Sequence, residues 1–96
     1  MIKLVKNIER WSKDKGLDKA DPRAQFLKVA EEVGEVAAAM ARGEPDKLKD
    51  GIGDVVVTLI ILAQQHGMEI DDCLDMAWCE ISGRTGKMQD GVFIKD

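Results

Sequence analysis

The chain has 96 residues, which is one domain's worth, and a formal net charge of −4. Its basic residues are scattered rather than clustered, which argues against a surface that binds a nucleic acid polymer by counterion release. Its two cysteines are too few for a disulfide framework or a zinc site and read as reduced thiols of a cytoplasmic protein.

Ile2, Leu4, Val5, Ile8 and Trp11 recur at helical spacing, which predicts a first helix from Ile2 to about Asp14, with Gly16 closing it. Leu17 to Pro22 reads as a polar connector, and Asp21-Pro22 as a helix start. A second helix then runs from about Pro22 to Arg42, and Gly43-Glu44-Pro45 breaks it. The third helix, about Asp46 to His66, is apolar nearly all round. Leu48, Ile52, Val55, Val56, Leu59, Leu62 and Ala63 form one face; Val57, Ile60 and Ile61 cover most of the rest. Such a helix must be buried nearly all round, which a single chain of this size does poorly. We therefore expect a homo-oligomer, dimer or tetramer, with the third helices near a two-fold axis. The apolar run from Val55 to Ala63 is too short to span a membrane, so no membrane partner is expected.

Gly67 ends the third helix. A fourth runs from Ile70 through Trp78 to Ile81, with Asp71 or Asp72 near its N-terminus, where a negative charge is favoured, and Gly83 beyond it. Asp90-Gly91 followed by Val92-Phe93-Ile94 predicts a turn and a short extended segment. The expectation is an all-α four-helix bundle, a single domain over residues 1–96, with a short extended C-terminal tail.

The chemistry concentrates between Lys28 and Asp54. At about 100° per residue, Glu31 and Glu35 lie about 40° apart on the second helix, and Glu32 about 60° beyond Glu35. Asp50 and Asp54, four apart, share a face of the third helix. If the two helices pair antiparallel, five carboxylates converge. They repel unless a cation sits among them, and an all-oxygen set suits Mg²⁺ or Mn²⁺. A solvated acidic face is the alternative for the glutamates alone. Asp54, flanked by Val57 and Ile61 on the helical wheel, is costly to desolvate without a metal or a partner such as Lys28.

These residues resemble the MazG-like nucleotide pyrophosphohydrolases of the all-α NTP pyrophosphatase superfamily, in particular the short, phage-type members. Glu31-Glu32-Val33-Gly34-Glu35 matches the E-E-x-x-E half of the family pattern, and Gly53-Asp54-Val55 matches the end of its E-x-x-D half. Gly51 stands where that half has Glu, and Asp50 reads as the substitute ligand. The resemblance extends to the Trp11 region, the Cys73–Ile81 helix and the R-x-G-K-M…G-V-F-x-K tail. It implies hydrolysis of a nucleoside triphosphate, (d)NTP, between the α and β phosphates, to the monophosphate and pyrophosphate. It also implies Mg²⁺ held by Glu32, Glu35 and Asp54, with Glu31 as a further ligand or as base toward water.

Lys28, one turn before Glu31 and Glu32, is placed to reach a phosphate; an ion pair with Glu32 is the alternative. Arg84, Lys87 and Lys95, in the glycine-containing tail, are candidates to close over a triphosphate. Trp11 and Trp78 offer faces for stacking a base, against core filling as the default for a helical Trp. His66 reads as a helix-terminal residue and the cysteines as core. The competing class is a non-catalytic oligomeric helical protein that binds a metal or nucleotide and regulates a partner.

Overall fold

The computed structural model describes residues 2–96. Four helices form where the periodicity places them: α1 (Ile2–Asp14), α2 (Pro22–Arg42), α3 (Pro45–Gln65) and α4 (Ile70–Ile81). Two short strands follow, β1 (Gly86–Gln89) and β2 (Val92–Lys95). The helix ends have local causes. Gly16 adopts φ 73° after α1. Asp21 caps α2 by accepting the Arg23 N–H at 2.9 Å, with Pro22 in the first turn. Gly43 ends α2 at φ 64°, and its N–H reaches the carbonyls of Ala39 and Met40.

Three boundaries differ from expectation. The third helix starts at Pro45 and stops at Gln65, one residue earlier at each end, leaving His66 as its C-terminal cap. The connector after α1 is not irregular: Leu17–Lys19 forms a 3₁₀ turn that Gln65 Nε2 pins by donating to Leu17 O at 2.9 Å. The tail is a hairpin rather than one extended segment. Asp90 (φ 53°) and Gly91 (φ 78°) both adopt the left-handed region, as a two-residue hairpin turn of type I′ requires. Gly86 pairs with Lys95, and the approach of Ile94 O and Phe93 there leaves no room for a Cβ.

α2 and α3, joined by a two-residue break, pack along their lengths. Gln25 near the start of α2 meets Thr58 late in α3, and Val36 later in α2 meets Gly51 early in α3, so the pair is antiparallel. α1 and the 3₁₀ turn close one side of α3. The side of α3 that its own chain covers carries Gly51, Thr58 and Ile61, with Ile60 fully enclosed. Ile52, Val56 and Leu59, from the face richest in large aliphatics, are exposed. α1 behaves likewise. It buries Val5, Glu9 and Ser12 and leaves Ile2, Leu4 and Trp11 exposed.

α4 does not close a four-helix bundle. It touches α3 alone, buries none of its residues, and carries a hairpin that packs on no helix among the described residues. The cysteines therefore are not core: Cys73 is half-buried and Cys79 exposed. The radius of gyration is 15.6 Å, where a compact domain of this length has about 12–13 Å. The accessible surface is 7416 Å², against about 5,500 Å² for a compact monomer of this mass.

Candidate functional site

The acidic stripe of α2 faces α3. Glu31, Glu32 and Glu35 each place a carboxylate oxygen within 4.8 Å of the other two. Glu32 is buried, while Glu31 and Glu35 are open to solvent. Lys28 Nζ lies 3.2 Å from Glu31 Oε1 and 3.5 Å from Glu32 Oε1. It thus makes both the i,i+3 and the i,i+4 pair from one turn upstream. The other Glu32 oxygen, Oε2, is buried with no hydrogen-bond partner. A buried carboxylate oxygen without a donor is expensive, and a cation bound beside it would offset that cost.

The electrostatics agree. The hydrogen bond to Glu31, then the charges of Glu31 and Glu32, hold the Lys28 ammonium above the ordinary lysine value. The adjoining Glu32 carboxylate, as hydrogen-bond acceptor for a protonated Glu35 and then by its charge, pushes the Glu35 carboxyl up. Asp54 on α3 is also pushed up, chiefly by desolvation, then by Asp50 and by Glu32 across the helix pair, with Lys28 opposing. The field of Glu32 at Asp54 ties the α2 stripe to α3. The donor set is all carboxylate oxygen and suits a hard divalent ion.

Two clefts meet at Asp54. One, about 500 Å³, runs from Lys28, Glu32 and Asp54 to an apolar end lined by Trp11, Leu17, Ala20 and Ala24. The other, about 410 Å³, contains Glu35, Asp50 and Asp54 and ends at Arg42 and Lys47. The structure brings Glu31, Glu32 and Glu35 together beside Lys28, and sets Asp50, Asp54 and Trp11 along the two clefts, outside that close cluster. Trp11 is half-exposed at the cleft rather than core filling.

The structure does not bring Trp78, Arg84, Lys87 or Lys95 to either cleft of the same chain. Trp78 sits exposed on α4, Arg84 pairs with Glu80 at 3.2 Å, and Lys87 and Lys95 lie on the hairpin. The physical reason is that α4 turns away from α2 instead of closing over it. Sequence reasoning passed over Arg42, Lys47 and Gln25. Spacing was a usable signal for two of them. Arg42 lies seven residues after Glu35, and Lys47 seven before Asp54, so each shares a helix face with a site carboxylate.

Gly51 is buried against α2. A Cβ there would stand 3.2 Å from Val36 Cγ2, so the position packs the helices together instead of supplying a ligand. Asp50, one residue earlier, opens into the Arg42–Lys47 cleft.

Two long antiparallel helices with an acidic cluster on one and carboxylates on the other define a class of all-helical acidic-site proteins. The sequence profile of the MazG nucleotide pyrophosphohydrolase domain matches residues 21–86, and the chain belongs to that family. It is 44% identical over 73 residues, 75% of this chain, to the "uncharacterized 18.2 kDa protein in rep-hol intergenic region" of Haemophilus phage HP1 (strain HP1c1). The matched part is 44% of that protein, so the chain spans less than half the length of this relative. No solved structure matches the chain. No single helix among the described residues is long and apolar enough to cross a membrane.

Proposed function

We propose that the protein is a Mg²⁺-dependent nucleotide pyrophosphohydrolase of the cytoplasm, taking a (d)NTP and water to the (d)NMP and pyrophosphate. The observation that carries this reading is Glu32 Oε2, buried and without a donor in a residue that lines the same cleft as Lys28 and Asp54. Family membership supports the reaction class.

Glu31, Glu32, Glu35, Asp50 and Asp54 are the residues that would hold the ion. When bound, it supplies Lewis-acid polarisation of phosphate oxygens and lowers the pKa of a coordinated water. The chain's own groups do the rest. The nucleoside lies in the Trp11 cleft and the β and γ phosphates extend toward Arg42 and Lys47, which puts the α phosphorus beside the carboxylates. Lys28 is one turn from Glu31 and Glu32 and balances charge at the α phosphate. Of the five carboxylates, Glu31 is open to solvent and, where it is not itself a ligand, takes the proton of the attacking water as the water oxygen bonds to the α phosphorus. The Pα–O bond to the β phosphate breaks, and pyrophosphate leaves along the basic end of the second cleft.

The catalytic unit in this reading is an oligomer. The surface exceeds that of a compact monomer by roughly 1,900 Å², more than twice the roughly 800 Å² that each partner buries in a standard interface. α4 and the hairpin carry Trp78, Ile81, Val92 and Phe93 exposed together with Arg84, Lys87 and Lys95. An arm with this exposed apolar surface fits against a second copy, whose site Arg84, Lys87 and Lys95 would then reach and complete.

Incubation with a panel of dNTPs and Mg²⁺, with pyrophosphate release as readout, tests this reading. Turnover that requires Mg²⁺ and vanishes in Asp54→Asn supports it. Mg²⁺ binding with no turnover of any dNTP replaces it with the non-catalytic regulatory class.

A further inference from the structure

The Trp11 cleft has a polar group that the phosphate chemistry does not use. Gln25, half-buried on α2, donates from Nε2 to the backbone carbonyl of Thr58 on α3 at 3.0 Å. A carbonyl only accepts, so the atom facing it is the nitrogen and the orientation of the amide is fixed by chemistry. Thr58 has no second group to offer, because its hydroxyl donates to Val55 O at 2.7 Å. Gln25 Oε1 has no hydrogen-bond partner among the described residues and is not sealed in the core. Gln25 lines the same 500 Å³ cleft as Trp11, Ala20 and Ala24. A cleft of this volume with a few fixed polar atoms on apolar walls suits one small planar ligand.

We infer that Gln25 is the base-reading residue of this cleft: its Oε1 accepts from the exocyclic amino group of a nucleobase and rejects a keto oxygen in that place. The inference rests on the pyrophosphohydrolase reading for the rest of the nucleotide. A free glutamine amide would flip to serve either base. Here a flip turns Oε1 onto Thr58 O, two acceptors face to face, and breaks the 3.0 Å bond. The anchor converts an adaptable side chain into a selective one. The substrate class is therefore a nucleotide with an amino-bearing base, cytosine over uracil and adenine over hypoxanthine, with Trp11 supplying the apolar face.

The test is calorimetric binding of the α,β-methylene analogues of dCTP and dUTP with Mg²⁺, alongside kcat/KM for dCTP and dUTP. These pairs differ at the position Gln25 addresses and carry the same phosphates. The wild-type protein is expected to bind the cytosine analogue about tenfold more tightly. Gln25→Met, of similar length and apolar, is expected to bring the two within about twofold while circular dichroism shows the fold kept. Equal affinities in the wild type overturn the inference without recourse to any variant. So does a base ratio that a folded Gln25→Met protein retains. Hydrolysis of dCTP and dUTP with equal kcat/KM overturns the role of Gln25 and leaves the hydrolase reading standing. Selective binding without hydrolysis upholds Gln25 and overturns the hydrolase reading.

Discussion

Lys28 Nζ stands 3.5 Å from Glu32 Oε1, while Oε2 of the same carboxylate is buried without a donor. One cation from the chain thus satisfies half of a buried carboxylate. A divalent ion that binds only the folded site stabilises by mass action, about 2.7 kcal/mol at a hundred times its Kd. For a domain of this size that is a rise in Tm on the order of 10 °C, read by a thermal melt with and without Mg²⁺. Glu32→Gln is expected to abolish the rise.

The pH dependence without metal follows from Glu35 and Asp54. Their folded pKa values lie above the ordinary carboxylate values, by hydrogen bonding and charge from Glu32 for the first and by desolvation for the second. A carboxylate whose pKa is raised on folding contributes stability that is present below its unfolded pKa and is lost as pH rises through the folded value. The metal-free protein is therefore expected to melt higher at about pH 5 than at pH 7. Saturating Mg²⁺ should reverse that order, and melts at the two pH values with EDTA or Mg²⁺ check it.

Gly51 against Val36 makes Asp50 the test of how many carboxylates α3 contributes. Asp50 raises the Asp54 pKa and lines the cleft that holds Glu35. If both are ligands, Asp50→Ala and Asp54→Ala are each expected to lower kcat/KM by about 100-fold or more, since losing a metal ligand forfeits several kcal/mol of charge stabilisation. A silent Asp50→Ala would assign the α3 side of the site to Asp54 alone.

The exposed arm predicts concentration-dependent assembly. Ile52, Val56 and Leu59 on α3, and Leu74, Trp78 and Ile81 on α4, are exposed in one chain. Leaving such side chains in water forgoes about 1.5–3 kcal/mol each, comparable in sum to the net stability of a small domain. Light scattering across a dilution series is expected to show a dimer or tetramer at micromolar concentration, with activity lost on dissociation. A folded, active species of 10.6 kDa would contradict this.

The helices were legible because capping and periodicity are local. Asp21-Pro22 and Gly43 set the ends of α2 in the sequence as they do in the structure. The shared stripe of Glu31, Glu32 and Glu35 was legible because helical spacing fixes which residues of one helix lie on one face. What each helix packs against was not legible. α3 is apolar almost all round, so its wheel did not say that Gly51 and Thr58 face inward while Ile52, Val56 and Leu59 face out. The direction of α4 depends on the turn at Gly67 to Glu69, and no composition signal places Trp78 or Arg84 relative to α2. Gln25 escaped notice because its meaning lies in one long-range bond to Thr58.

The central claim is cleavage between the α and β phosphates at the Glu32–Asp54 junction. ³¹P NMR of a dNTP incubated with the protein and Mg²⁺ tests it most directly, since it identifies the bond broken from the products alone. The account predicts equimolar pyrophosphate and dNMP, with neither formed in EDTA or by Glu32→Gln. Inorganic phosphate with dNDP, or an unchanged triphosphate spectrum from the assembled, Mg²⁺-loaded protein, would contradict it.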